Sequence, residues 1–203
     1  MYKNRLLSAL LISALVCTLH CGESDPYASV AMQPETGNTN GGNTDIPQLS
    51  KLRQTARLEG TYGGEIRIDG DSWKVVNSQE EISLLFNGKD LKNIRQIEFI
   101  LEFHPQDAFD FSSAVFVPQD PLLTFGAGVE QLENGQLRIG AASVSGDVEG
   151  EQTLGTFTIR TSATFNPLNS TYIEVTFLSL GPSSSDRENY QRQELTMGVV
   201  VNE

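Results

Sequence analysis

Cysteine is scarce in this 203-residue chain, and both copies lie close to its start. Cys17 and Cys21 are four residues apart, and none follows them, so the folded region must be held by its core without disulfide bonds. Histidine is equally rare, since His104 is the only one beyond position 20. One histidine leaves a Ser-His-Asp triad or a multi-histidine zinc site incomplete, which favours a structural loop role for His104.

Positive charge is also in short supply. Against 26 aspartates and glutamates the chain has 14 lysines and arginines, and its formal net charge at pH 7 is −12. Such an acidic surface repels phosphate groups, which argues against nucleic acid or an anionic lipid surface as a direct partner. The remaining composition, 38% hydrophobic with 18 glycines, is that of a globular protein and predicts one folded domain with appendages.

A helical period is missing from the folded region, although the short stretch 51–58 is compatible with a brief helix. The clearest pattern lies in 90–111, where Ile97, Phe99, Leu101 and Phe103 occupy every second position. A period of two indicates a strand with one buried face. Pro105 ends this strand because it has no N–H to donate. We interpret this stretch as the central strand of a sheet.

Eight further segments have strand character, and Asn87-Gly88 and Asn134-Gly135 are hairpin-type turn signals between them. These strands are predicted at 62–69, 72–76, 80–86, 114–117, 137–141, 154–160, 172–180 and 195–201. Short strands with frequent turns and no intervening helices indicate an all-β fold, an antiparallel β-sandwich of about nine strands. Phe99, Leu101, Phe157 and Phe177 are expected to share the core between its two sheets.

The first 21 residues have the three parts of a bacterial export signal. Lys3 and Arg5 precede an apolar run from Leu6 to Val16, which is too short to cross a membrane of about 30 Å of hydrocarbon. A cysteine then precedes Gly, Glu, Ser and Asp, which resembles the lipidation site of bacterial lipoproteins. We predict lipid attachment at Cys21, with Cys17 or an unlipidated, cleaved signal as alternatives.

The segment 22–58 follows the signal and is predicted to be a flexible linker. Its first 29 residues are rich in Gly, Asn, Thr, Pro and acid, without an apolar period. A chain of this length has a root-mean-square reach of roughly 30 Å, enough to hold a domain clear of lipid headgroups. The folded domain is accordingly predicted at 59–203.

Few side chains offer a ligand site. Asp69, Asp71 and Glu80 have three spacings of a calcium loop, but Trp73 and Lys74 replace an oxygen ligand and the turn glycine, so no metal site and no cofactor are predicted. Trp73 and Tyr62 are a candidate platform for stacking on a sugar ring. The alternative for Trp73 is a place in the core, where sole tryptophans of sandwiches more often lie. Carboxylates are abundant, but no spacing singles out a glycosidase pair.

Taken in order, 62–203 resembles the cohesin family, whose modules are nine-stranded jelly-roll sandwiches. In DLKNIRQIEFILEFHP, Phe103 and Pro105 match the family's aromatic-Asp-Pro ending, while His104 replaces the aspartate. In LENGQLRIGAASVSG and GEQTLGTFTI, Leu154 and Phe157 match the Leu-x-x-Phe strand after a Gly-rich turn, whereas Gln152 and Thr153 stand where a glycine is common. Cohesins hold dockerin partners in cellulosomes and related surface assemblies.

The resemblance to cohesins and the predicted export signal together imply an exported, non-enzymatic binding module in the bacterial cell envelope or outside the cell. One sheet face would be displayed to a separate, dockerin-type protein, since this chain lacks the duplicated calcium loops of a dockerin. Direct polysaccharide binding and a passive structural or adhesin stalk are the alternatives, because one sandwich fold serves several functions. The chain is expected to act as a monomer that meets the membrane only through its lipid anchor.

Overall fold

The computed structural model describes residues 51–69, 73–75 and 77–202. Its strands are β1 (Thr55–Arg57), β2 (Glu65–Asp69), β3 (Glu81–Ile94), β4 (Gln96–His104), β5 (Phe109–Pro118), β6 (Leu123–Gln131), β7 (Gln136–Ala142), β8 (Val148–Thr161), β9 (Thr171–Ser183), β10 (Asp186–Gln191) and β11 (Met197–Asn202). A one-turn helix, α1 (Arg192–Leu195), separates β10 from β11. The predicted signal, both N-terminal cysteines and the linker up to residue 50 lie outside the described residues.

The strands form two antiparallel sheets that enclose one hydrophobic core. The five-stranded sheet has the order β1-β2-β3-β8-β5, and the six-stranded sheet has the order β10-β9-β4-β7-β6, with β11 also paired to β9. Side chains alternate between core and solvent along β4 and β7, as a strand with one buried face requires. The predicted fold class, an antiparallel jelly-roll sandwich, is confirmed, with eleven strands in place of about nine.

The predicted central strand is confirmed as β4, which lies between β9 and β7. Ile97, Phe99, Leu101 and Phe103 all point into the core. The Phe99 ring packs on Phe86 of the opposite sheet, with centroids 4.7 Å apart. Aromatic contacts of this kind join the two sheets directly, so β4 anchors the sandwich.

One member of the predicted core, Phe177, is on the other side of its sheet. Leu101 pairs with Val175 and Ile100 pairs with Phe177, so Thr176 is an extra residue in β9. This β-bulge reverses the alternation, because a one-residue slip exchanges the two faces of a strand. Phe177 therefore lies opposite outward-facing Ile100 and is absent from the core cluster. The prediction was right for Phe99, Leu101 and Phe157 and wrong for Phe177.

The turn predicted at Asn87-Gly88 is also wrong. Strand β3 runs through both residues, since Asn87 pairs with Thr153 and Gly88 with Gln152 of β8. The partner strand β8, which begins at Val148, overrides the local turn preference. The chain instead leaves β3 after Ile94 and passes at Arg95 into β4 of the other sheet. The second turn signal, Asn134-Gly135, does join a hairpin between β6 and β7.

The N-terminal boundary of the domain lies earlier than predicted. Thr55–Arg57 forms β1, which pairs with β2, and Ala56 and Leu58 are buried. The stretch 51–58 is therefore neither the end of a linker nor a helix, because its apolar side chains complete the core. In the strand predicted at 72–76, Trp73–Val75 has no strand structure, although Trp73 and Val75 are buried. Tyr62 to Gly64 likewise precede β2 as irregular chain.

Candidate functional site

The solvent side of the six-stranded sheet, here called the outer face, brings together the outward side chains of β4, β7 and β9. On β4 these are Gln96, Glu98, Ile100, Glu102 and His104, all partly exposed. Each has a registered neighbour on β9, and all but His104 also have one on β7, so the outer face consists of rows that cross the sheet. Successive outward residues of β4 lie about 7 Å apart.

A recess of about 740 Å³ lies at one end of the outer face. Its floor is built from small residues, since Glu98 is flanked in its row by Gly140 on β7 and Ser179 on β9, and Ala142 lies in the next row. Because these residues have little or no side chain, the sheet's backbone is uncovered there. The volume is within the range of protein ligand sites, roughly 300 to 1,000 Å³.

The walls of the recess carry paired charges and one unsatisfied hydroxyl. Arg138 Nε lies 3.5 Å from Glu98 Oε1, and Arg138 Nη1 lies 2.8 Å from Glu130 Oε2. Arg187 lines the opposite side. Ser179 is only 2% exposed, and within the described part of the chain its Oγ has no hydrogen-bond partner. A buried hydroxyl without a partner is costly, so Ser179 is a weak point in the floor of the recess.

A charged corner lies at the other end of the outer face, about 13 Å from the recess along β4. Here Glu102 of β4 and Glu174 of β9 are registered neighbours, and Arg192 of α1 reaches over both. Arg192 donates to Glu102 Oε2, and its Nε lies 3.4 Å from Glu174 Oε1. His104 Nε2 is 3.0 Å from Glu102 Oε1, and Gln136 Nε2 donates to Glu102 Oε2 at 2.9 Å.

The pKa values of the two carboxyl groups of the charged corner are shifted in opposite directions. Burial alone would raise the pKa of Glu102, but hydrogen bonds from His104 and Gln136 and the charge of Arg192 lower it to about 2. Burial raises the pKa of Glu174, and the nearby Glu102 adds to this, while Arg192 opposes it. Glu174 is thus a buried carboxyl group whose charge is incompletely compensated.

Ile100 and Phe177 lie between the recess and the charged corner. They are registered neighbours on β4 and β9, and Arg138 is the third member of their row. The outer face therefore has apolar side chains at its centre and charged or small residues at both ends. The outward glutamates of β4 alternate with its buried residues in the sequence, but only strand register brings them to their partners on β7, β9 and α1.

The predicted sugar platform is not formed. Trp73 is 4% exposed, so it belongs to the core and has no free ring face. Tyr62 is partly buried, and its hydroxyl donates to Asp186 Oδ1 at 2.6 Å, beside one end of β9. Trp73 instead lies near Val199, beside the opposite end of β9. The two aromatic rings therefore cannot stack on one sugar.

The other singled-out polar residues have structural partners. His104 is the last residue of β4 and not part of a loop, and its ring stacks on Tyr172 with centroids 4.4 Å apart. Asp69 accepts hydrogen bonds from Arg67 and Asn87, and Glu80 accepts from Asn77, whereas Asp71 lies outside the described residues. Within the described ranges, no three His, Cys, Asp or Glu side chains are grouped so that they could hold a metal ion.

No helix in the described part of the chain is long and apolar enough to cross a membrane. No protein-family model matches the chain, and no curated protein matches its sequence.

Among solved structures, the chain is similar to a cohesin module of a family 33 glycoside hydrolase from Clostridium perfringens. The TM-score is 0.49 and the identity 15%, with 68% of this chain and 95% of that chain covered. For a type II cohesin dyad of the adaptor ScaA scaffoldin from Acetivibrio cellulolyticus, the TM-score is 0.43 and the identity 12%, covering 67% and 47% of the two chains. For the sixth cohesin of scaffoldin B from the same organism, solved in complex with a dockerin, the TM-score is 0.38 and the identity 7%, covering 62% of this chain and 84% of that chain.

Proposed function

We propose that this protein is a non-enzymatic binding module whose outer face docks a separate protein. The observation that carries the proposal is the recess, whose floor of small residues lies between ion-paired walls on the broad face of a sheet. A specific protein interface covers about 800 Å² per partner, so a partner seated on the recess would also cover Ile100 and reach the charged corner.

The composition of the outer face supports a protein partner. Protein interfaces combine an apolar centre with a polar rim. Ile100, which lies partly exposed beside the buried Phe177, supplies the centre, and the ion pairs of Arg138 and Arg192 supply the rim. The sequence resemblance to cohesins suggests a dockerin-type domain as the partner. We propose no catalytic step, because the two carboxyl groups with diverging pKa values share one guanidinium and lie outside the recess.

The docking face can be tested with two matched surface variants. Ala142→Arg places a long charged side chain in the recess, whereas Thr156→Arg places the same side chain on the outward side of β8 in the opposite sheet. We expect wild-type protein and Thr156→Arg to retain the same protein from an extract of the source cells. Ala142→Arg should bind it at least 10-fold more weakly, measured by calorimetry with the purified partner.

The same variants separate the alternatives. Equal binding by Ala142→Arg and Thr156→Arg would contradict the assignment of the outer face. Retention of a soluble polysaccharide that Ala142→Arg abolishes would replace the protein partner by a carbohydrate. A wild type that binds neither would leave the stalk as the better explanation.

We further propose that the module is exported and anchored through lipid on Cys21. The support is the sequence order of basic start, apolar run and cysteine, followed by a polar linker. Cys21→Ala should move the protein from the detergent phase to the aqueous phase in two-phase partitioning, because the acyl chains supply its membrane affinity. Cys17→Ala is the matched control and should stay in detergent. The opposite pattern would place the lipid on Cys17.

A further inference from the structure

The edge of β9 is covered by two strands that are interrupted at one point. Gln191 of β10 pairs with Phe177, and Met197 of β11 pairs with Val175, so the five residues 192–196 leave the sheet beside the Thr176 bulge. This excursion contains α1. Its first side chain, Arg192, turns back over β9 and reaches Glu102 on β4.

The excursion is held in place by a hydrogen bond and by a buried side chain, which offset the cost of one strained backbone conformation. Gln191 N–H donates to Glu194 Oε2 at 2.7 Å, and Leu195 is buried. Thr196, which closes the turn by donating to Arg192 O, has a φ of 44°, a left-handed conformation that a β-branched residue rarely adopts. Packing and capping therefore already hold the short helix in place, and the ion pairs of Arg192 only add to its stability. Loss of these ion pairs would free the Arg192 guanidinium more readily than the backbone of the helix.

The charge of the corner is unbalanced. Glu102 and Glu174 face each other on neighbouring strands, where like charges destabilise a sheet. The two carboxylates share one guanidinium, so Arg192 can compensate only one of their two negative charges. Glu174 is the more deeply buried carboxylate, with a side chain 7% exposed against 18% for Glu102.

We infer that the charged corner is an acid-operated switch on the outer face. When Glu174 takes a proton, Arg192 loses its ion pair with β9 and keeps only the ion pair with Glu102 on β4. The two carboxyl groups and Arg192 together then change from one net negative charge to neutral. The groups that face Glu174 are Glu102 and His104 from β4, Tyr172 from β9 itself and Arg192 from α1, while uncharged Gln136 of β7 bonds to Glu102.

The order of protonation follows from the surroundings of each group. Because the pKa of Glu174 is raised and that of Glu102 is lowered to about 2, Glu174 takes a proton first as the pH falls. For a carboxyl group whose folded-state pKa is raised, stability increases as the pH falls through that pKa and decreases as it rises. The folded protein thus bears a cost for the ionised Glu174 at neutral pH, which a glutamine would not impose.

The consequence for partner binding rests on the proposed function, but the switch itself does not. If the outer face docks a protein, acid would remove a negative charge and expose a guanidinium at one end of the interface. A partner with basic side chains at that end would bind less well in acid. The switch can be measured without any partner.

The test is an NMR titration of the full chain from pH 8 to pH 3, following the Glu174 carboxyl carbon and the Arg192 Nε nitrogen. We expect both signals to change with one shared midpoint above the ordinary glutamate value of 4.5. In Glu174→Gln, the Arg192 signal should have its acid-state position at every pH above 4. Glu98→Gln, which alters a different glutamate–arginine pair of the outer face, should leave the Arg192 transition unchanged.

Three results would overturn the switch. Glu174 could titrate at or below 4.5, or the Arg192 signal could remain constant while Glu174 titrates. In the third, the Arg192 transition would follow the His104 ring carbons and disappear in His104→Asn while persisting in Glu174→Gln. The wild-type titration decides the first two results even if a variant does not fold.

Discussion

Replacing Phe99 with alanine should lower the free energy of unfolding by about 3 to 5 kcal/mol, the usual cost of truncating a fully buried phenylalanine. Phe99 has no exposed surface and packs on Phe86 of the other sheet. The truncation leaves a cavity at the centre of the sandwich, where strands on either side cannot move in to fill it. The total free energy of unfolding of a typical domain is only about 5 to 15 kcal/mol, so the midpoint of urea unfolding should shift strongly in this variant.

Phe177→Ala is the matched control, because it removes the same side chain from a neighbouring strand. Phe177 is only 8% exposed, yet it lies on the outer face, where its removal opens a surface depression and no closed cavity. We expect a loss of about 1 to 2 kcal/mol, mainly from apolar area returned to water. Equal losses for the two variants would show that the bulge at Thr176 does not reverse the faces of β9.

Gly181→Ala should also be strongly destabilising, by about 2 to 3 kcal/mol. An added methyl group at Gly181 would overlap the backbone carbonyl of Asp186 and come within 2.6 Å of Arg187 Cα. These are backbone atoms, so relief requires β10 to move away from β9, and overpacking of this kind costs about 1 to 3 kcal/mol. The displacement would also shift Arg187, which lines the recess. Urea unfolding measures the first effect, and chemical shifts of recess residues measure the second.

Gly146→Ala is the control for the loss of a glycine. An added methyl group there would meet only Pro121 Cβ at 3.8 Å, an ordinary contact. We expect a change within about 0.5 kcal/mol, as for most surface substitutions. A loss for Gly181→Ala as small as this one would mean that β10 is not held closely against the sheet.

Strand identity was predictable wherever a buried face imposed a period of two. Ile97 to Phe103 in β4 were assigned to the correct face, and the strand predicted at 137–141 lies within β7, because in both strands each apolar residue alternates with a polar or small one. Asn87-Gly88 misled the sequence analysis for a physical reason. A turn preference is worth little against a run of ladder hydrogen bonds, and β8 supplies that run along β3.

The candidate site was largely beyond sequence reasoning. The recess depends on Gly140, Ala142 and Ser179, which are unremarkable in the chain and meet only through the register of three strands. Glu102 and Glu174 are 72 positions apart, and Arg192 lies on a helix of four residues that no helical period announces. Of the two places considered for Trp73, a sugar platform and the core, the structure shows the core, because burial of its large apolar ring is the more favourable arrangement.

The amino-acid sequence by itself determined the fold class, the central strand and most of the core, because these follow from local alternation and from the free energy of burying apolar side chains. It also carries the whole argument for export and lipid attachment at Cys21, which lies outside the described residues. Only the tertiary structure decided where β1 begins, which face Phe177 occupies and which polar groups meet on the outer face. Those features depend on strand register and a single bulge, and register is set by the energy of the complete sheet, which no local pattern records.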